Sequence, residues 1–328
     1  MKPPHGLRGL AASALLCTLA ILLAATPQAI GTETTAGVAA GIDAKTLWDR
    51  AHVIGASASA GFGVRPPLPA DHPGRLQPVT LASIADAARA GAGTVTGDAT
   101  GLFFLSPSSN GGREVDGTLA AQPRPTIVIG VDFLFWFTYG AGDGDGRAIR
   151  DEKQRLAHLE AGLALADRIA KAGMPLVIGD IPDMSPAVGK MLSKAQMPAL
   201  ETIARANERI RTWAAERPRV AVVPLARLVA ELRSGKPFEA GRRTWSEAAD
   251  GALIQRDQLH PTFVGSLALL ACIEQAVNER FLGVTQPNAP GAPRAFREDP
   301  AAVAATWRER ADAAPTPARR RPPVTSPR

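Results

Sequence analysis

Short, almost entirely apolar runs recur along the chain, and longer segments with helical spacing of apolar residues lie between them. A short apolar run bounded by glycine or proline is typical of a strand buried on both faces. Apolar residues at intervals of three and four are typical of an amphipathic helix. These patterns predict strands at 52–54, 102–105, 126–130, 175–178 and 220–224, and helices at 81–90, 114–121, 151–172, 199–216 and 262–280.

Strands that alternate with helices favour right-handed crossovers, and therefore a mostly parallel sheet covered on both faces. The predicted fold class is α/β, a three-layer α/β/α sandwich. In such sheets the functional residues gather at the carboxyl ends of the strands. Ser57, Gly112, Asp132 and Asp183 all follow predicted strands.

The amino-terminal end differs from the rest of the chain. In residues 1–31, Lys2 and Arg8 precede an apolar run at 10–25, and small residues follow it. This arrangement predicts a secretory signal peptide, with an uncleaved anchor as the alternative. Residues 32–43 are small and polar and predict a mobile leader.

The carboxyl-terminal end is rich in proline, alanine and arginine from residue 286 onward. Such a composition predicts a disordered tail over 286–328, with a marginal helix near 301–311. The remaining residues, 44–285, form the predicted domain, which contains no later stretch apolar enough to span a bilayer.

The net charge of +6 comes from the two ends of the chain, because residues 32–286 carry as many acidic as basic side chains. A neutral body lacks the basic surface that binds nucleic acid, so no nucleic-acid partner is predicted. The three consecutive arginines at 319–321 are either a solvated part of the tail or a contact to an anionic surface. After removal of the signal peptide only Cys272 remains, which excludes an internal disulfide.

The candidate chemistry is nucleophilic catalysis by a serine. Ser57 follows the first predicted strand in a turn of small residues, where its hydroxyl can project from the sheet edge. A serine hydroxyl needs an imidazole to take its proton, and a carboxylate to hold the other ring nitrogen. His260 lies just before the last predicted helix, with Asp257 three residues earlier. Ser59 is the alternative nucleophile, although it lies further from the strand.

Four short blocks in this order resemble those of the SGNH/GDSL hydrolase superfamily. They are Gly55-Ala56-Ser57, Gly112, Gly130-Val131-Asp132 and Asp257-Gln258-Leu259-His260. The resemblance covers residues 52–282. It implies a flavodoxin-like sheet, a triad of Ser57, His260 and Asp257, and no cofactor.

The same resemblance implies an oxyanion hole built from the amides of Ser57 and Gly112 and from the side chain at position 132. The chain departs from the family pattern twice: Ala56 replaces the usual aspartate, and Asp132 replaces the usual asparagine. An ionised carboxylate cannot donate to an oxyanion. Asp132 is therefore protonated by burial, points elsewhere, accepts backbone hydrogen bonds, or marks a site that no longer hydrolyses its substrate.

Several other residues are candidates for weaker roles. The aromatic run 133–139 predicts buried core, with an acyl or sugar pocket as the alternative. Residues 143–146 resemble the start of a calcium loop but lack its further ligands, which favours a turn. Asp180 and Asp183 either contact substrate or are solvated, and no group of His and Cys residues predicts a metal site.

These observations predict an exported serine esterase, secreted or periplasmic, that acts on a small-molecule or polysaccharide ester. Acetylated polysaccharide, peptidoglycan and short-chain lipid esters all suit an exported enzyme. Two alternatives remain open at this point: a degenerate SGNH-like carbohydrate-binding or assembly protein, and an O-acyltransferase.

Overall fold

The computed structural model describes residues 41–65, 67–68, 72, 77–142, 148–289 and 292–313. The predicted signal peptide, most of the leader, the turn at 143–146 and the end of the predicted tail lie outside these residues. None of the helices within them is long and apolar enough to cross a membrane.

The main sheet of the described chain has five parallel strands in the order β2-β1-β3-β4-β5. Every residue of β3 and β4 is buried, as expected for central strands covered on both faces. The direction of winding reverses between β1 and β3, and ligand sites form at such a switch point. The strands are β1 (Arg50–Val53), β2 (Thr94–Gly97), β3 (Ile127–Gly130), β4 (Leu176–Gly179) and β5 (Val220–Val223).

Helices cover both faces of this sheet. Helices α1, α8 and α9 pack with one apolar core, and α2, α4 and α5 pack with a second core on the opposite face. The predicted three-layer sandwich with a flavodoxin-like strand order is confirmed. In chain order the helices are α1 (Leu81–Ala88), α2 (Pro107–Ala120), α3 (Phe135–Tyr139), α4 (Glu152–Lys171), α5 (Leu200–Ala215), α6 (Leu225–Ser234), α7 (Glu247–Asp250), α8 (Phe263–Leu282) and α9 (Pro300–Ala313).

The elements between β5 and α8, which are α6, a β-hairpin and the short helix α7, have no counterpart in the sequence prediction. Helix α6 begins two residues after β5, and an antiparallel hairpin of β6 (Phe238–Ala240) and β7 (Arg243–Trp245) follows it. Trp245 at the end of the hairpin is fully buried. This segment brings the chain back to the sheet edge before the loop that carries Asp257 and His260.

The prediction of the second strand was wrong. The strand that pairs with β1 is Thr94–Gly97, and Phe103–Leu105 form a short 3₁₀ turn. Leu102 and Leu105 are 61% and 63% exposed, so this apolar run does not enter the core as a strand would. An edge strand with one buried residue, Val95, lacks the hydrophobic pattern that identified the central strands.

The prediction of a disordered tail was wrong for residues 292–313, whereas the helix predicted near 301–311 is present as α9 (Pro300–Ala313). Helix α9 packs against α1, and its Val303 and Trp307 lie in the core beside α1 and α8. Phe296, which precedes α9, is also buried and lies edge-on to Trp48. A few large apolar side chains therefore anchor a segment whose overall composition is that of a disordered chain.

Candidate active site

A tight turn at the end of β1 presents Ser57. Ile54 extends the pairing with β3 through its amide, and Gly55 then adopts a φ of +131°. A Cβ atom on Gly55 would lie 2.2 Å from Oδ1 of Asp132, so only glycine fits this position. The chain next coils into a turn in which the amide of Phe62 donates to the carbonyl of Ser57 at 2.8 Å.

The structure brings Ser57, His260 and Asp257 together. His260 Nε2 lies 2.8 Å from Ser57 Oγ, and His260 Nδ1 lies 2.7 Å from Asp257 Oδ2. The imidazole is 2% exposed, and the ring of Phe62 packs against it with a centroid separation of 4.8 Å. This is the geometry in which an imidazole can accept the serine proton while a carboxylate fixes its tautomer.

The loop of Asp257 and His260 is held by its own hydrogen bonds. Asp257 Oδ1 accepts from the amides of Leu259 and His260, and the intervening Gln258 has a φ of +63°. Arg233 of α6 donates to the carbonyls of Gln258 and Asp183, which ties this loop to the one after β4. The backbone on both sides of Leu259 is therefore held in place, and with it the position of His260.

Hydrogen bonding holds the pKa of Asp257 below its usual value. Burial alone would raise the pKa, but the bonds from the His260 ring and from the amides of Leu259 and His260 outweigh this effect. Asp257 is thus a carboxylate at neutral pH, as required to orient an imidazole.

Asp132 supports the nucleophile turn and does not face an oxyanion as a donor. Its Oδ1 accepts from the amide of Ala56 at 3.0 Å and from Ser59 Oγ at 2.5 Å. Its Oδ2 accepts from the amides of Ala58 at 2.9 Å and Ser59 at 3.1 Å. The amide of Ser57 is not among these four donors. Of the alternatives open at position 132, the structure agrees with an acceptor of backbone hydrogen bonds.

Gly112 lies well inside α2, and this overturns the oxyanion role expected for it. An amide at that depth in a helix donates to the carbonyl four residues earlier and is not available to a ligand. The loop between β2 and α2 instead contains Gly101, and the neighbouring amide of Thr100 donates to the carbonyl of Gly55. A Cβ atom on Gly101 would lie 4.0 Å from the ring of Phe62. Correct placement of β2 would have indicated Gly101 as the glycine that follows the second strand.

A second carboxyl group, that of Glu114 on α2, supports the turn from the other side. Its Oε2 accepts from the amide of Gly55 at 2.8 Å. Burial raises the pKa of Glu114 to about 8, the hydrogen bond from Gly55 opposes this rise, and the nearby charges of Asp132 and Asp98 add to it. Glu114 is therefore mainly protonated at neutral pH.

We expect Glu114 to make the stability of the protein depend on pH. Between about pH 4.5 and 8 the unfolded chain releases the proton of Glu114 while the folded chain retains it. The free energy of unfolding should therefore fall, relative to Glu114→Gln, by up to about 1.4 kcal/mol per pH unit as the pH rises through this window. Urea unfolding of both proteins at a series of pH values measures the difference. A difference that stays constant would show that the fold does not perturb Glu114.

The structure also places the residues that were candidates for weaker roles. Residues 133–139 are buried in the core beside β3, as predicted, and Phe135 also lines the cavity that borders Ser57. Asp180 is buried, and its Oδ1 accepts from the amide of Ala226 in the first turn of α6. Asp183 is exposed and accepts from the amide and hydroxyl of Ser185. Within the ranges given above, no group of His, Cys, Asp and Glu residues is arranged to hold a metal ion.

Neither a protein-family model nor a curated protein matches the chain. Solved structures do resemble it. A G-D-S-L family protein from Desulfitobacterium hafniense DCB-2 is 12% identical with a TM-score of 0.39, over 68% of this chain and 97% of that one. The psychrotrophic esterase EstA from Pseudoalteromonas sp. is 15% identical with a TM-score of 0.39, over 72% of this chain and 100% of its own.

A lipolytic G-D-S-L family protein from Veillonella parvula DSM 2008 is likewise 15% identical with a TM-score of 0.39, over 72% of this chain and 99% of that one. In this chain the sheet order is 2-1-3-4-5, Ser57 follows the first strand and His260 precedes the helix α8. The chain has the fold that its SGNH/GDSL resemblance implies.

Proposed function

We propose that this protein is a serine hydrolase of the SGNH/GDSL type that cleaves carboxylic esters. The observation that carries the proposal is the hydrogen-bonded series from Ser57 Oγ through the His260 ring to Asp257 Oδ2, with distances of 2.8 and 2.7 Å. Ser57 and His260 also line a cavity, so the nucleophile borders space that a substrate can enter.

In the first half of the reaction, Ser57 Oγ attacks the carbonyl carbon of the ester as its proton passes to His260 Nε2. The resulting oxyanion collapses and expels the alcohol, which takes the proton from His260. The acyl group remains on Ser57. The amide of Ser57 and that of Gly101 in the loop after β2 are the proposed oxyanion donors.

In the second half, a water molecule attacks the acyl group and gives a proton to His260 Nε2. The acid leaves as that proton returns to Ser57 Oγ. Throughout, Asp257 keeps the proton of Nδ1 in place, so that Nε2 remains the basic nitrogen. If the acceptor were a sugar hydroxyl instead of water, the same steps would give an acyl transfer.

The geometry of Asp132 bears on the alternative of a degenerate binding protein. A carboxylate at an expected donor position is the feature of the sequence that suggests a degenerate site. Because Asp132 accepts four hydrogen bonds from the turn, its presence is accounted for without loss of the reaction. The proposed location of the enzyme, outside the cytoplasm, is supported by the signal-like composition of residues 1–31.

Labelling with a fluorophosphonate tests the proposal. The reagent requires an activated serine and oxyanion donors but little substrate recognition. We expect one adduct, located on Ser57 by peptide mapping and absent from Ser57→Ala. Ser59→Ala is the matched control, and its adduct should remain on Ser57. A folded protein that gives no adduct, or gives it on another residue, would overturn the proposal.

A further inference from the structure

An apolar cavity extends from Ser57 and His260 toward helix α6. Its volume is about 70 Å³. The wall is formed by α6, by the segment after β3 that includes Phe135, by the loop after β4, by the segment before His260 and by α8. Its aliphatic side chains include Leu225, Leu228, Val229, Leu232, Leu259 and Leu269.

Helix α6 contributes one continuous stripe to this wall. Leu225, Leu228, Val229 and Leu232 are spaced as i, i+3, i+4 and i+7, so they project from one side of the helix. The start of α6 is fixed to the sheet edge, because the amide of Ala226 donates to Asp180 Oδ1 at 2.7 Å. This hydrogen bond ties the first turn of α6 to the loop after β4, which also lines the cavity.

The chemistry of the wall favours a hydrocarbon over a sugar. Apart from Ser57 and His260, the polar side chains that line the cavity in the described part of the chain are Asp132 and Asp180. Both already accept hydrogen bonds from backbone amides. A sugar needs several free polar partners, whereas an alkyl chain gains free energy by leaving water for such a surface.

We propose that this cavity is the acyl pocket of the enzyme and that it restricts the substrate to esters of short-chain fatty acids. The inference rests on the proposed function. An apolar cavity of about 150 Å³ holds a benzene molecule. The cavity beside Ser57 has about half of that volume. It therefore accommodates about three carbons beyond the carbonyl, which corresponds to a butanoyl group.

Hydrolysis of p-nitrophenyl esters with acyl groups from acetyl to decanoyl tests the limit. We expect kcat/KM to rise about fourfold for each methylene that the cavity buries, up to butanoyl. It should then fall by about tenfold or more at octanoyl, because the additional carbons must displace the side chains of the wall. A profile that is flat, or that keeps rising to decanoyl, would contradict the inference.

Two adjacent leucines of α8 provide a matched pair of variants. Leu269 lines the cavity, whereas Leu270 is buried in the neighbouring core and does not. Leu269→Ala should move the preferred acyl group toward hexanoyl and raise kcat/KM for octanoyl by about tenfold, since the removed carbons enlarge the pocket. Leu270→Ala, which creates a similar loss of packing elsewhere, should keep the wild-type profile.

Leu225→Ala is the second variant, because Leu225 is only half-buried and its truncation is tolerated more easily. It should likewise shift the preference toward longer acyl chains. Thermal melting followed by circular dichroism establishes that each variant is folded. Fluorophosphonate labelling of the same samples separates the two proposals. A labelled Ser57 with no change in chain-length preference overturns the acyl pocket alone, whereas an unlabelled Ser57 overturns the proposed function.

Discussion

Replacing His260 by alanine is expected to lower kcat for p-nitrophenyl butanoate by about 10⁴-fold or more. The serine then has no base within reach, because His260 Nε2 is the group that lies 2.8 Å from Ser57 Oγ. The fold should survive, since the hydrogen bonds that hold the loop join the Asp257 carboxylate to backbone amides and do not need the imidazole. Initial rates at saturating ester, together with a thermal melt, measure both effects.

Asp257→Asn is the companion variant. Asparagine can retain the Oδ1 contacts to the amides of Leu259 and His260, but its NH₂ group would face His260 Nδ1 in place of a carboxylate oxygen. The ring would then carry its proton on Nε2, which is the wrong tautomer for a base, and kcat should fall by about 10⁴-fold. Activity within tenfold of the wild type in either variant would mean that another group activates the serine.

Asp132→Asn is expected to lower both stability and kcat/KM. An asparagine side chain has one acceptor oxygen, so about half of the four donors that now reach Asp132 would face its NH₂ group. Each buried donor left unpaired costs about 1–3 kcal/mol. A shift of the Ser57 turn by as little as about 1 Å would reduce kcat/KM by about 10²-fold. Urea unfolding and steady-state kinetics measure the two losses.

The opposite result would identify a different role for position 132. If this side chain served as an oxyanion donor, asparagine would raise kcat/KM and leave the free energy of unfolding unchanged. Ser59→Ala is the control, because it removes one hydrogen bond to Asp132 and leaves the three amide bonds in place. It should cost about 1 kcal/mol of stability and much less activity than Asp132→Asn.

The two departures from the family pattern are linked by the geometry. Ala56 replaces a carboxylate immediately before the serine, and Asp132 brings a carboxylate to the same turn from the end of β3. Its four hydrogen bonds reach Ala56, Ala58 and Ser59, the residues on either side of Ser57. Glu114 completes this support at Gly55. The turn is thus held by two carboxyl groups from distant elements.

Local patterns in the sequence determined the parts of the fold that are buried on both sides or strongly amphipathic. The runs at β1, β3, β4 and β5 and the long helices α4, α5 and α8 were located to within a few residues. The same alternation predicted the parallel sheet, because few other arrangements bury such runs. The order of the four SGNH/GDSL-like blocks also indicated Ser57, Asp257 and His260 as the candidate site.

Only the tertiary structure decided what depends on distant neighbours. The strand β2 is polar and lies at the edge of the sheet, so its position depends on backbone pairing with β1. The hydrophobic pattern instead indicated a strand at 102–105, where Leu102 and Leu105 are exposed. Helix α9 is anchored by contacts with α1 that its composition does not indicate. Whether the Asp132 side chain donates or accepts hydrogen bonds depends on which amides surround it. The size of the cavity beside Ser57 depends on the packing between α6 and α8. The periodicity of apolar residues specifies which face of a helix or strand is buried. Which residues pack against that face depends on how segments distant in the sequence are positioned next to it.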